Sequence, residues 1–156
     1  MQTHWVMMSA ERSVGSARGE TQVKTHVQFR STQFDSKDSP GNSLNPHIKG
    51  EKLAGFLSEA FNAHGYSGAV IEEDWGWMVD LGHADFPLWL GCASHDEPPD
   101  WLVFIEPSKP EVKRWFKKID TRQAVGKVAD LLEDMLVKQG GASDLNWRTE
   151  QDSGRR

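Results

Sequence analysis

The 156-residue sequence predicts an α+β fold, a two-layer sandwich with a mainly antiparallel sheet of four to five strands and two helices on one face. Three observations lead there. Apolar segments of strand length crowd the middle of the chain, separated by short turn-forming stretches. A segment on either side carries apolar residues at helical spacing. An alternating apolar segment precedes the first of these.

In chain order, residues 1–22 are mixed and polar and are expected to be a disordered extension, with Met7 and Met8 as alternative starts. A single domain is expected over 23–147. It opens with "KTHVQFRSTQF", where Thr25, Val27 and Phe29 alternate as a half-buried strand requires. "DSKDSPGNSLN" is loop material. Asn45-Pro46 then predicts a helix start, with Asn as N-cap and Pro at the first helical position. Leu53, Phe56, Leu57, Ala60 and Phe61 form its apolar stripe, and Gly65 its stop. Four strand segments follow: "SGAVIEED", "WGWMVDLG", "FPLWLGCA" and "DWLVFIEP". Their short separators favour antiparallel pairing over crossovers. "PSKPEVKRWFKKI" is read as a basic connector with a short helical turn. Asp120 is expected to cap a second helix whose stripe is Val125, Val128, Leu131, Leu132, Met135 and Leu136, ended by Gly140-Gly141. Leu145 and Trp147 are expected to dock on the body, and residues 148–156 to form a flexible tail.

The formal net charge is −5, and Cys92 is the lone cysteine. One cysteine excludes an intrachain disulfide framework and suits a reducing compartment, so a cytoplasmic location is expected. The acidic balance gives no reason to expect nucleic acid or an anionic membrane as partner. Charge is also segregated. Between Tyr66 and Pro107 there is no Lys or Arg, but there are nine acids: Glu72, Glu73, Asp74, Asp80, Asp85, Asp96, Glu97, Asp100 and Glu106. The next stretch is basic, with Lys109, Lys113, Arg114, Lys117, Lys118 and Arg122. Two readings are open: a negative surface for a basic partner, or turn acids solvated and paired within the molecule.

The familiar catalytic patterns are missing. There is no nucleophile elbow, phosphate loop, dinucleotide fingerprint, zinc spacing or calcium loop, and no cofactor is expected. His83 and His95 near "HDEPPD" do not make a recognisable metal site. Cys92, in an apolar setting, is a poor nucleophile. Asp80 interrupts an apolar strand and is the one carboxylate placed to be partly buried, unless it points to the polar face. Trp75 and Trp77 stand two apart and are expected on one strand face, with Gly76 leaving room for a close neighbour. With Trp89 and Trp101 they would form an aromatic band, either as core or as an exposed platform.

The series "EDWGW", "WLGC" and "WLVFIEP", preceded by Asn45-Pro46, resembles a family of small uncharacterised bacterial proteins over roughly residues 25–150. The resemblance implies no chemistry and carries over no catalytic residue. In size, charge and architecture the chain is also similar to bacterial immunity proteins, which block a secreted toxin. The expected function is therefore a non-enzymatic binding protein that contacts a basic protein partner, as a toxin antagonist would. The contact residues are expected to be Glu72, Glu73, Asp74, Trp75, Trp77, Asp96, Glu97 and Asp100. The alternatives are a small-ligand or carbohydrate-binding module using the tryptophans, or a hydrolase built on Asp80.

Overall fold

Alternation of buried residues with half-buried or exposed ones shapes the strand Lys24–Arg30 (β1) and the strand Asp100–Glu106 (β5), which lie side by side in the sheet. The computed structural model describes residues 23–34, 49–94 and 100–149. After β1 come helix α1 (Glu51–Asn62) and the strands β2 (Ala69–Glu73), β3 (Gly76–Asp80), β4 (Trp89–Ser94) and β5. A two-stranded hairpin follows, β6 (Glu111–Arg114) and β7 (Lys117–Asp120), then helix α2 (Arg122–Lys138) and strand β8 (Ser143–Thr149). The main sheet has the order β2-β3-β4-β5-β1-β8, and its pairings are antiparallel.

Register decides which residues share a face, because directly opposed residues point the same way. One row runs Val27, Val103, Cys92, Trp77 across four strands, and a second runs Ile105, Leu90, Val79. All of these residues are buried. They form one core cluster with Leu53, Ala54, Leu57 and Phe61 of α1 and with Val125, Val128, Ala129, Leu132, Met135 and Leu136 of α2. Each such aliphatic or aromatic side chain removed from water contributes roughly 1.5–3 kcal/mol before entropy is counted. Trp101 is 1% exposed, and its indole N–H donates to the Ser31 carbonyl at 2.9 Å, so its polar atom is satisfied within the core.

The α+β class and the antiparallel sheet match the expectation, but the main sheet has six strands rather than four to five, and a separate hairpin adds two more. The expected basic connector is that hairpin. Val112 and Ile119 are opposed on β6 and β7 and pack against the core, which a charged helical turn would not achieve. Leu145 and Trp147, expected merely to dock, belong to β8, and pairing continues through Arg148 and Thr149, which were expected in the tail. Trp147 also donates its indole N–H to Glu133 on α2 at 2.8 Å.

Helix α1 begins at Glu51, with Gly50 in the N-cap position. Asn45-Pro46, the expected start, lies outside the described residues. Just before α1, the Lys49 carbonyl accepts from Ser94 N–H at 3.0 Å, and the Lys49 N–H donates to the Ser94 hydroxyl at 3.3 Å. These bonds tie the entry of the helix to the end of β4. At α2 the cap is shared. Thr121 holds the N-cap position, while Asp120, one residue earlier, accepts the Arg122 N–H at 2.9 Å. Gly140 and Gly141 follow its last turn, as expected. Among the described residues no helix is long and apolar enough to cross a membrane.

Candidate functional site: an aromatic cluster on the uncovered sheet face

The face opposite the helices, uncovered among the described residues, carries the other phase of each strand. Asp80, Trp89 and Glu106 lie in one row, Ile71, Met78, Gly91, Phe104 and His26 in the next. Apolar side chains therefore occupy this face as well. Phe104 is central, and its ring lies directly over Gly91, where a Cβ would come within 2.2 Å of ring atom Cζ. Around it stand Trp75, with ring centroid 5.4 Å away, Trp89 at 5.8 Å and His26 at 5.7 Å; Trp75 and Trp89 are 6.0 Å apart. All four residues are half-buried. His26 stacks on Phe104, its ring plane tilted by 19°, and its Nδ1 is 2.8 Å from the Thr25 hydroxyl.

Carboxylates frame the cluster. Asp80 and Glu106 flank Trp89, and Glu73 sits opposite Gly76 at the adjacent corner. Asp80 accepts the Gly82 N–H at 2.9 Å, and Glu106 accepts the Ser108 N–H at 3.0 Å. These bonds hold the two acids at strand ends as turn caps. Among the described residues, cations at the β1–β8 side of this face include Arg148, opposite His26, and Arg30, which pairs with Asp100 at 3.5 Å.

The expected band of four tryptophans is split between the two faces. Trp77 (4% exposed) and Trp101 (1% exposed) are core, packed under the helices. Trp75 belongs to the two-residue turn Asp74-Trp75 between β2 and β3, where strand alternation does not apply, so its ring reaches the opposite face from Trp77. Gly76 makes this possible. A Cβ there would stand 2.4 Å from the Cys92 carbonyl oxygen, so the close neighbour expected from the sequence is β4 itself. Of the acids, Glu72 opposes Trp77 on edge strand β2 and is exposed, Glu73 faces the aromatic cluster, and Asp74 is exposed in the turn. Asp100 lies at the far end of β5 in its ion pair. Asp96 and Glu97 lie outside the described residues, as does His95.

Phe104, His26, Met78 and Gly91 were not singled out in the sequence. The available signal was "WLVFIE", an unbroken apolar run in which Leu102 and Phe104 occupy the phase opposite Val103 and Ile105, marking a strand with apolar contacts on both faces. Cys92 is fully buried, and burial pushes its thiol far above the usual range. His83 packs on Phe86 at 4.4 Å and accepts the Asp85 N–H at 3.2 Å. Among the described residues no three His, Cys, Asp or Glu gather in a group able to hold a metal ion. Comparison of the chain with models of known protein families, with curated proteins and with solved structures finds no match.

Proposed function

We propose that the protein is a non-enzymatic binding protein whose uncovered sheet face contacts a basic protein partner. The observation that carries this reading is the cluster of Trp75, Trp89 and Phe104 on that face, framed by Glu73, Asp80 and Glu106. Half-buried aromatics that pack on one another and remain partly open are the residue types that dominate protein-binding hot spots. A carboxylate rim selects for a cationic partner and speeds encounter. A basic secreted toxin, held by this chain as an antagonist, fits that description.

Ring geometry favours a protein over a sugar. The planes of Trp75 and Trp89 are inclined by 34°, of Trp75 and Phe104 by 49°, and of Trp89 and Phe104 by 71°. Such rings make an irregular surface with a ridge, not the flat platform on which a pyranose stacks. Asp80, the acid of the hydrolase alternative, is engaged in capping Gly82.

Capture of basic proteins at low salt, followed by kinetics, tests the reading. Glu73→Lys with Asp74→Lys should slow association about tenfold, an effect that fades as salt rises. Trp75→Ala should chiefly speed dissociation. Capture of no basic protein, or equal capture by the charge-reversed variant, would sink the proposal.

A further inference from the structure

The β6–β7 hairpin combines three locally unfavourable features. Lys113 opposes Lys118, and Arg114 opposes Lys117, so like charges face each other across the ladder. Trp115 and Phe116 form the turn with 85% and 97% of their surface in water. Trp115 also holds φ at +62°, a conformation that bulky residues rarely adopt. A segment that breaks local rules this way is the kind of place where function resides.

The base of the hairpin is well anchored. Val112 and Ile119 pack on the core, the Thr121 hydroxyl donates to the Lys109 carbonyl at 2.6 Å, and Thr121 N–H donates to the Pro110 carbonyl at 2.9 Å. Arg114 donates to the Asp85 carbonyl at 2.6 Å, tying the stem to the loop before β4. Lys118 pairs with Glu111 and Arg122 with Asp120, whereas Lys113 and Lys117 enter no ion pair among the described residues. A firm stem thus presents two bare aromatic rings with cations immediately behind them.

We propose that this tip docks on an anionic lipid bilayer, with Trp115 and Phe116 at headgroup depth and Lys113 and Lys117 against the lipid phosphates. Charge restricts the partner to an anionic one. Shape then favours the bilayer. A protruding tip of two adjacent rings suits an interface that accepts aromatic side chains just below a layer of phosphates. A single-stranded nucleic acid is normally tracked by a groove with successive stacking rings, and this tip is neither grooved nor extended. Each cation close to an anionic surface strengthens partition about fivefold. The acidic face carries charge of the opposite sign, so contact is confined to the hairpin and is reversible. This surface shares no residue with the aromatic cluster of the sheet face.

Co-sedimentation of the full chain with phosphatidylcholine vesicles, with and without phosphatidylglycerol, tests the proposal. The protein should bind only the anionic vesicles, and salt should weaken binding. Trp115→Ser with Phe116→Ser, and separately Lys113→Glu with Lys117→Glu, should each weaken binding at least about tenfold. Neither pair should lower the urea midpoint, since the rings and both lysines lie in water and the two glutamates would face Lys118 and Arg114 across the ladder. Equal affinity for both vesicle types, no binding to either, or unchanged binding by both variants would overturn the proposal. So would preferential binding of a single-stranded oligonucleotide, which would assign the tip to nucleic acid.

Discussion

Replacing Gly91 with alanine tests how the uncovered face is built. The new Cβ would lie 2.2–2.6 Å from three atoms at the far end of the Phe104 ring, and from nothing closer in the backbone. The ring can therefore swing aside, but only by abandoning Trp75, Trp89 and His26. Three ring contacts at about 0.5–1 kcal/mol each put the loss near 2 kcal/mol. Alanine in a strand recovers about 0.5–1 kcal/mol relative to glycine. Gly91→Ala alone should thus cost about 1–1.5 kcal/mol. In a Phe104→Ala background the ring is already gone, and the same substitution should stabilise by about 0.5 kcal/mol. Urea unfolding of the four proteins in this cycle reads the change of sign directly. Equal destabilisation in both backgrounds would place the cost in the backbone and refute the account of Phe104 as the group that requires glycine.

Gly76→Ala should be worse, costing at least about 2 kcal/mol, because the atom it meets at 2.4 Å is the Cys92 carbonyl oxygen inside the sheet; thermal or urea unfolding measures it. Cys92 should resist thiol reagents in the native protein and react only on unfolding. Its folded thiol stays protonated above its ordinary value of 9.0, whereas the unfolded thiol ionises, so this group's contribution is intact below pH 9.0 and declines by up to about 1.4 kcal/mol per pH unit above it. Cys92→Ala should remove that slope from a stability profile between pH 8 and pH 10 while lowering the whole curve through the cavity it leaves. The side-chain and backbone hydrogen bonds from Arg122 hold Asp120 down at about 2, against an ordinary 3.8. Its stabilisation is present above pH 3.8 and is lost as pH falls toward 2. Because the pair is largely exposed, Asp120→Ala should cost only about 0.5–1 kcal/mol at neutral pH, and the gap between melting temperatures should close below pH 3.8.

Legibility in the sequence follows the strength of each periodic signal. β1, β3, β4, β5 and the two helical stripes were readable because one phase of each is apolar and buried. β6 and β7 were hidden because "EVKRWFKKID" places charges in both phases and aromatics at a turn where neither is buried. β8 was hidden because "SDLNWRT" carries only two large apolar residues, and Asp144 at φ +56° interrupts its alternation. The acids of the candidate site were visible as a base-free segment, but their faces were not. Glu72 and Glu73 are neighbours in sequence, yet one opposes Trp77 and the other Gly76, so they point to opposite sides of the sheet.

What the sequence by itself determined is the class of fold, the helical stripes, the segregation of charge and the need for a small residue at Gly76, because each depends on residue type and short-range spacing. Only the tertiary structure decided which aromatics are core and which are open. Two apart means the same face only while the chain remains a strand, and Trp75 sits in a turn. Strand register, set by packing across β1, β5, β4 and β3, then carried Trp77 and Trp101 under the helices and left Trp75, Trp89 and Phe104 together on the other side.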